Sequence, residues 1–299
     1  MQSDSLVFQY STDGGATWNA KPGLIIKVKN AAGNKAGGAI ANGFPAIACD
    51  TSRGQYRGRI YICWSEEKHG ANNKDVFLVY SDDKGASWTE PILVTYHPNH
   101  KDQFKPSMAI DQLNGRLYIL YYDGQNYFDQ GFCDVYLAVS NGGLKFDYYK
   151  INKQPLLINS LVPLKSAVTV NALNEVTLYW TESDGKKKIS MHKTRINDDL
   201  LNEYNRQIST DDILLQKTIL FADKITVGFE SKTDITLSAV ITKPLEPGFE
   251  KIIIRHKKYK AGKNGIVIDT KAKDLPAGNY ILTLYYNSKN TFAWIVKGE

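Results

Sequence analysis

Ser81-Asp82-Asp83-Lys84-Gly85-Ala86-Ser87-Trp88 is an eight-residue stretch that occurs twice, its other copy being Ser11-Thr12-Asp13-Gly14-Gly15-Ala16-Thr17-Trp18. Both fit S-x-D-x-G-x-[ST]-W. A carboxylate at Asp13 or Asp83 can accept hydrogen bonds from the N–H groups of its own turn, and Gly15 or Gly85 can take a positive φ without steric cost. Trp18 or Trp88 is then placed to cap a hairpin by packing on its apolar side. A shortened relative, Ser140-Asn141-Gly142-Gly143-Leu144-Lys145-Phe146, lacks the Asp.

These turns sit inside a longer repeat. Phe44–Asp50 (FPAIACD), Gly58–Trp64 (GRIYICW) and Asp75–Ser81 (DVFLVYS) return as Lys105–Asp111 (KPSMAID), Gly115–Tyr122 (GRLYILYY) and Asp134–Ser140 (DVYLAVS). The offsets are 61, 57 and 59 residues. Short runs rich in Ile, Val, Tyr and Phe, bounded by Gly, Asn or Asp, read as strands. Four of them per period of about 60 residues read as a propeller blade. Ser5–Ser11 and Leu24–Val28 match strands three and four of a preceding blade. Ala167–Val170, Val176–Thr181 and Lys188–Thr194 match strands one to three of a following one. The expected fold class is all-β: a partial propeller of roughly three and a half blades over residues 1–220, followed by a small β-sandwich over 221–299. Closed propellers typically have four to eight blades. The arc is therefore expected to close through blades upstream of Met1, which would carry any signal peptide, or through a second chain.

Composition agrees. The 299 residues hold 18 Tyr, 11 Phe and 5 Trp but only 3 Met, and hydrophobic content is 42%, enough for real cores. Residues 221–299 hold 13 Lys and Arg against 8 Asp and Glu, so most of the net charge of +6 lies there. Without aromatic interleaving or a recognisable motif, that excess reads as solvated surface, and no nucleic-acid partner is expected. No transmembrane stretch is present in the sequence. Cys49, Cys63 and Cys133 lack metal-ligand spacing and read as free thiols, and no N-x-[ST] sequon occurs.

The paired octapeptides resemble the Asp box of the sialidase superfamily of BNR/Asp-box propellers, closest to bacterial secreted sialidase-like proteins. The resemblance covers residues 1–220. It implies that the boxes are structural, on the outer part of the blade opposite the ligand face. It also implies a secreted or cell-surface bacterial protein directed at a glycan or glycoconjugate. Leu275-Pro276-Ala277-Gly278-Asn279-Tyr280-Ile281 resembles the type IX secretion sorting domain of Bacteroidetes, which implies contact with secretion machinery. A generic carbohydrate-binding or immunoglobulin-like sandwich is the rival reading. Strands are expected there at Ile225–Glu230, Ile235–Thr242, Ile252–His256, Gly265–Asp269, Tyr280–Tyr286 and Phe292–Lys297.

Blade topology selects a face. Loops entering strand one and joining strands two to three share the end opposite the boxes, here Asn42–Phe44, Ser65–Lys74, His97–Phe104, Asp123–Cys133 and Glu182–Lys186. Trp64, Tyr122, Tyr127, Phe128 and Phe104 are candidate sugar platforms, with Asp129 beside them. Asp123, Glu182 and Glu66 are the candidate catalytic carboxylates, with Glu67 and Asp184 near them, since glycoside hydrolysis uses two such groups roughly 5–10 Å apart. His69, His97 and His100 are further candidates. The spacing of His97, His100 and Asp102 does not establish a metal site, and no metal or cofactor is expected. The family resemblance implies an arginine triad, a Tyr–Glu pair and an acid/base Asp. Yet Arg53, Arg57, Arg59, Arg116, Arg195 and Arg206 all fall at the Asp-box end, and the F/Y-R-I-P motif is absent. The chain is therefore expected to be inactive as a sialidase, with an exo-sialidase-like glycoside hydrolase in the intact parent protein as the alternative.

Overall fold

The computed structural model describes the chain except for residues 1–3, 20–22, 30–34, 37–38, 41–43, 71–72, 96–100, 130, 159–163, 174, 184–188, 197–212, 216–217, 222–223, 245, 247, 270–272 and 299. The described residues are all-β. Among them no helix is long and apolar enough to cross a membrane.

Strands β1 (Asp4–Phe8) and β2 (Leu24–Val28) pair antiparallel around the first Asp box. A short hairpin of β3 (Lys35–Ala36) and β4 (Ala39–Ile40) follows. Strands β5 (Ala46–Cys49), β6 (Ile60–Glu66), β7 (Asp75–Ser81) and β8 (Ile92–Leu93) form a four-stranded antiparallel blade in chain order. The next blade repeats that order with β9 (Gln103–Ile110), β10 (Arg116–Asp123), β11 (Phe132–Asn141) and β12 (Asp147–Lys150), and β13 (Leu156–Leu157) pairs with the start of β11. Strands β14 (Ser166–Val170), β15 (Val176–Ser183) and β16 (Ile189–Ile196) make the last, three-stranded blade.

Why the middle blades read as near-continuous apolar runs is now physical. Their second and third strands are covered on both faces, the condition that removes period-two alternation. Ile62, Trp64, Phe77 and Val79 of one blade face Leu6, Phe8, Leu24 and Ile26 of the first sheet. Its other face, Tyr61, Cys63 and Leu78, packs on Leu117, Ile119 and Tyr121. Strand β14, covered on one face only, alternates between buried and exposed.

In both Asp boxes the carboxylate closes its own turn. Asp83 accepts from the Ser87 N–H at 2.8 Å, the Ser87 hydroxyl and the Ser81 hydroxyl. Asp13 accepts the same set from Thr17 and Ser11. The serine donors, the side chain of Ser87 first, then its backbone N–H and the Ser81 hydroxyl, hold the Asp83 carboxyl down at about 2. The tryptophans differ. Trp88 packs edge-on against Phe8, with ring centroids 5.0 Å apart, whereas Trp18 is 61% exposed. The expected cap is thus corrected for Trp18: no neighbouring sheet among the described residues covers it. Gly85, at φ +90°, would drive a Cβ to 2.4 Å from the Phe8 ring.

Arg59 ties blades together from this end. Its guanidinium reaches both oxygens of Asp82 at 2.7 and 2.8 Å and the Gly142 carbonyl at 2.7 Å, and lies over the Tyr56 and Tyr80 rings. Arg57 donates to the Thr51 and Ser52 carbonyls, and Arg195 sits 3.6 Å from Glu175. Arg206 lies outside the described residues.

The C-terminal sandwich stacks a sheet of β17 (Ile213–Leu215), β19 (Lys224–Ser231) and β22 (Gly262–Asp269) on a second sheet. The second runs β18 (Thr218–Phe221), β24 (Lys289–Lys297), β23 (Gly278–Tyr286), β20 (Ile235–Thr242) and β21 (Glu250–Tyr259). Ile225, Val227, Phe229, Ile266 and Ile268 meet Leu237, Ile241, Tyr280, Leu282 and Ile295 in one core. Because β17 and β18 pair only with sandwich strands, the strand pairing of this unit begins at Ile213 rather than beyond residue 220.

Candidate functional site

The end of the blades opposite the Asp boxes is lined by carboxylates. Strand two of each described blade carries one at or next to its end: Glu66 in β6, Asp123 in β10 and Glu182 in β15. In the two middle blades strand three carries another near its start, so that Glu66 faces Asp75 and Asp123 faces Asp134 across the ladder.

The three strand-end carboxylates have different surroundings. Glu66 is buried and accepts from the Lys29 N–H at 2.8 Å and the Trp64 indole at 3.1 Å, which fastens the segment after β2 to its blade. Asp123 is also buried, with Oδ1 accepting from Gln125 N–H at 2.8 Å and Gln103 Nε2 at 3.1 Å. Burial pushes its carboxyl up to about 7 against those bonds, and Asp134 and Asp75 nearby add to the rise. Glu182 stays 35% exposed, with Oε2 2.6 Å from Nε2 of His192, a close contact without hydrogen-bond alignment. His192 in turn stacks on Trp180 at 5.3 Å between centroids.

Between these corners runs a polar chain that is largely buried, with His69 half-exposed. Lys74 reaches Glu67 at 3.2 Å, and its N–H donates to Asp102. His69 Nδ1 lies 2.7 Å from Asp75, a hydrogen bond that raises the imidazole, while burial raises the Asp75 carboxyl. Asp134 collects Tyr127, Asn126, Asn152 and Lys150. The network is tightly paired, as buried charges must be.

The loop from Asp123 to Cys133 departs most from expectation, because it docks on the sandwich. The Asn290 amide donates to the Gln125 carbonyl at 2.9 Å and to Asn126 Oδ1 at 3.0 Å. Phe128 lies edge-on to His256 and Tyr285, with the Arg255 guanidinium 4.7 Å over its ring, and Lys101 Nζ donates to its carbonyl. Asp129 faces His256 at 3.2 Å and Arg255 at 3.7 Å. Beside this contact is an open cleft of about 230 Å³, walled by Phe128, Asp129 and Phe132 on one side and by Thr236, Ser238, His256 and Tyr285 on the other.

Several expected site residues are thereby corrected. Trp64, Tyr122 and Phe104 are 0% exposed and packed in blade cores, so they offer no face to a sugar. Tyr122 spends its hydroxyl on the Lys165 carbonyl, joining two blades. Tyr127 is buried and donates to Asp134. Glu66 and Asp123 are closed to substrate. Phe128 and Asp129 line the cleft, and Glu182 remains accessible. His97, His100 and Asp184 lie outside the described residues. Sequence reasoning missed His192, His256 and Tyr285. The last two lie more than a hundred residues from the loop they meet, and no local signal marks them. Among the described residues no cluster of His, Cys, Asp and Glu is arranged to hold a metal ion.

No protein-family model matches the chain, and no curated protein matches it. Among solved structures, an N-acetylgalactosamine deacetylase from F. plautii, in complex with blood group B trisaccharide, is similar over 67% of this chain. The identity is 11% and the TM-score 0.34, and the chain spans 60% of that enzyme's length. The GH93 α-L-arabinofuranosidase of Fusarium graminearum with arabinobiose is similar over 96% of this chain and 83% of its own, at 13% identity and a TM-score of 0.38. At these scores the likenesses assign neither a substrate nor a catalytic residue.

Proposed function

We propose that this protein recognises a glycan and does not hydrolyse it. One observation carries the reading: of the three strand-end carboxylates, two are sealed inside the blades, while glycoside hydrolysis needs a pair flanking one bond. The arginines that a sialoside carboxylate would need are occupied at the Asp-box end, Arg59 by Asp82 and Gly142, Arg57 by two carbonyls. Loops on the opposite end keep aromatic and polar groups open to solvent. A glycan array run beside a panel of nitrophenyl glycosides and the 4-methylumbelliferyl conjugate of sialic acid tests this. Saturable binding without release of either chromophore is expected, and turnover of any conjugate overturns it.

The half-exposed Glu182–His192 pair favours a second reading, an exo-sialidase-like glycoside hydrolase in a longer parent protein. Its signature would be turnover that Glu182→Gln abolishes. The resemblance of Leu275–Ile281 supports a secreted or cell-surface location, with the sandwich read by export machinery. Fusion of residues 213–299 to a periplasmic reporter tests that, and a reporter that is never exported removes it.

A further inference from the structure

Strand β21 carries a bulge where it passes β20. Leu237 pairs with Lys257 and Ala239 with Ile254, so Ser238 alone opposes both Arg255 and His256. His256 takes φ +48°, a left-handed backbone that a side chain other than glycine adopts at a cost. Its N–H is satisfied by Ser238 Oγ at 2.9 Å. Bulges re-aim side chains, and they gather beside binding sites. This one turns the imidazole out of the sheet and towards Asp129 at the mouth of the cleft. Strands β23 and β24 bring Asn287 and Ser288 to the same cleft on a two-residue turn with both φ positive, which fixes that wall rigidly.

The contents of the cleft specify an amphipathic guest. Phe132 is 41% exposed there, its ring tilted against Tyr127 and still open enough to serve as an aromatic platform, while the Phe128 ring is already capped by Arg255. Asp129 is 53% exposed and supplies acceptors, and the His256 imidazole offers its ring nitrogens. The distances from Asp129 to His256 and Arg255, 3.2 and 3.7 Å, and the exposure of all three make these contacts weak, so a guest can replace them at little cost. A volume of about 230 Å³ lies below the roughly 300–1,000 Å³ of pockets for drug-sized ligands. That suits one ring rather than a chain. The Asp129 carboxylate is matched by the Arg255 guanidinium, so no strong net field selects a charged guest.

We propose that this junction cleft is a saccharide subsite for one neutral sugar ring, its C–H face on Phe132 and a pair of adjacent hydroxyls shared by Asp129 and His256. The inference rests on the glycan-binding reading and deepens it. The probes are methyl β-D-galactopyranoside, methyl β-D-glucopyranoside and methyl α-D-mannopyranoside, followed by saturation-transfer NMR on the full chain, with methyl β-D-glucuronide as the charged control. At least one neutral glycoside should saturate with a millimolar Kd. Thr236→Trp, at an exposed strand position that fills the cleft, and Asp129→Asn, on the exposed loop, should each weaken it at least ten-fold. Unchanged affinity in Asp129→Asn and in a folded Thr236→Trp moves the sugar elsewhere and leaves the glycan reading standing. Saturation by the glucuronide alone overturns the neutral class. Array binding without any methyl glycoside binding overturns the one-ring seat, and no binding on either removes both proposals.

Discussion

Replacing Asp123 with Asn should stabilise the protein at pH 8 and do much less at pH 5. Asparagine keeps Oδ1 as acceptor for the Gln125 N–H and the Gln103 amide, so the geometry survives while the ionisable group is lost. In the folded chain the Asp123 carboxyl titrates near 7, against the ordinary value of 3.8, because burial penalises its charged form. Such a raised group contributes fully below the unfolded value. As pH climbs from about 4 towards 7 the unfolded chain releases its proton and the folded chain does not, so stability falls. Three units correspond to about 4 kcal/mol, and about two of them, close to 3 kcal/mol, fall between pH 5 and pH 8. Urea unfolding monitored by tryptophan fluorescence at both pH values measures this. The wild-type midpoint should drop relative to that of Asp123→Asn as pH rises, with the m-values unchanged. Equal destabilisation of the variant at both values would refute the reasoning, because Asp123 would then be needed in its charged form. That result would return it to the list of groups able to do chemistry.

Three further substitutions probe the blade contacts. Arg59→Lys keeps the charge but loses the fork that holds Asp82 and the Gly142 carbonyl together. It should cost about 2 kcal/mol, a fall of roughly 4–8 °C in Tm by differential scanning calorimetry. A Tm within a degree of wild type would show that the tie between blades contributes little. Gly85→Ala and Gly15→Ala both place a Cβ on a left-handed backbone, at about 1–2 kcal/mol. Only the first also strikes Phe8, so Gly85→Ala should have the lower urea midpoint, and equal midpoints would mean that Phe8 yields freely.

The blades were legible in the sequence because burial on both faces leaves unbroken runs such as Ile60–Glu66, and because the turn chemistry recurs in register. The sandwich was legible for the opposite reason: β19 alternates strictly, one face in its core. Strands β17 and β18, three and four residues long, carry too little pattern to be seen. The site was harder to read. An aromatic side chain at the end of a strand reads the same whether it serves a ligand or the next blade. Trp64 and Tyr122 proved to serve the neighbouring blades. Arg255-His256-Lys257-Lys258 reads as solvated basic surface, and only the bulge in β21 turns His256 towards the propeller loop.

Glu66, Asp123 and Glu182 occupy one position of one repeat, yet each has a separate fate. A repeat fixes the residue type and the direction in which the strand delivers it. It does not fix what stands opposite. Glu66 meets the backbone of the preceding segment, Asp123 meets Gln103 within its own blade, and Glu182 meets His192 at a partly exposed position. The first two corners are closed because a blade or a loop packs on each side, and a carboxylate so enclosed is either bonded or protonated. Openings arise where the repeat is interrupted. The loop after Asp123 runs out to the sandwich instead of returning directly to strand three, and the seam it makes holds the half-exposed Phe132, Asp129 and His256. Recognition in this molecule is therefore expected at the seam between its two units, where exposed aromatic and polar groups share one cleft, rather than at the inner corners that the repeat makes most conspicuous.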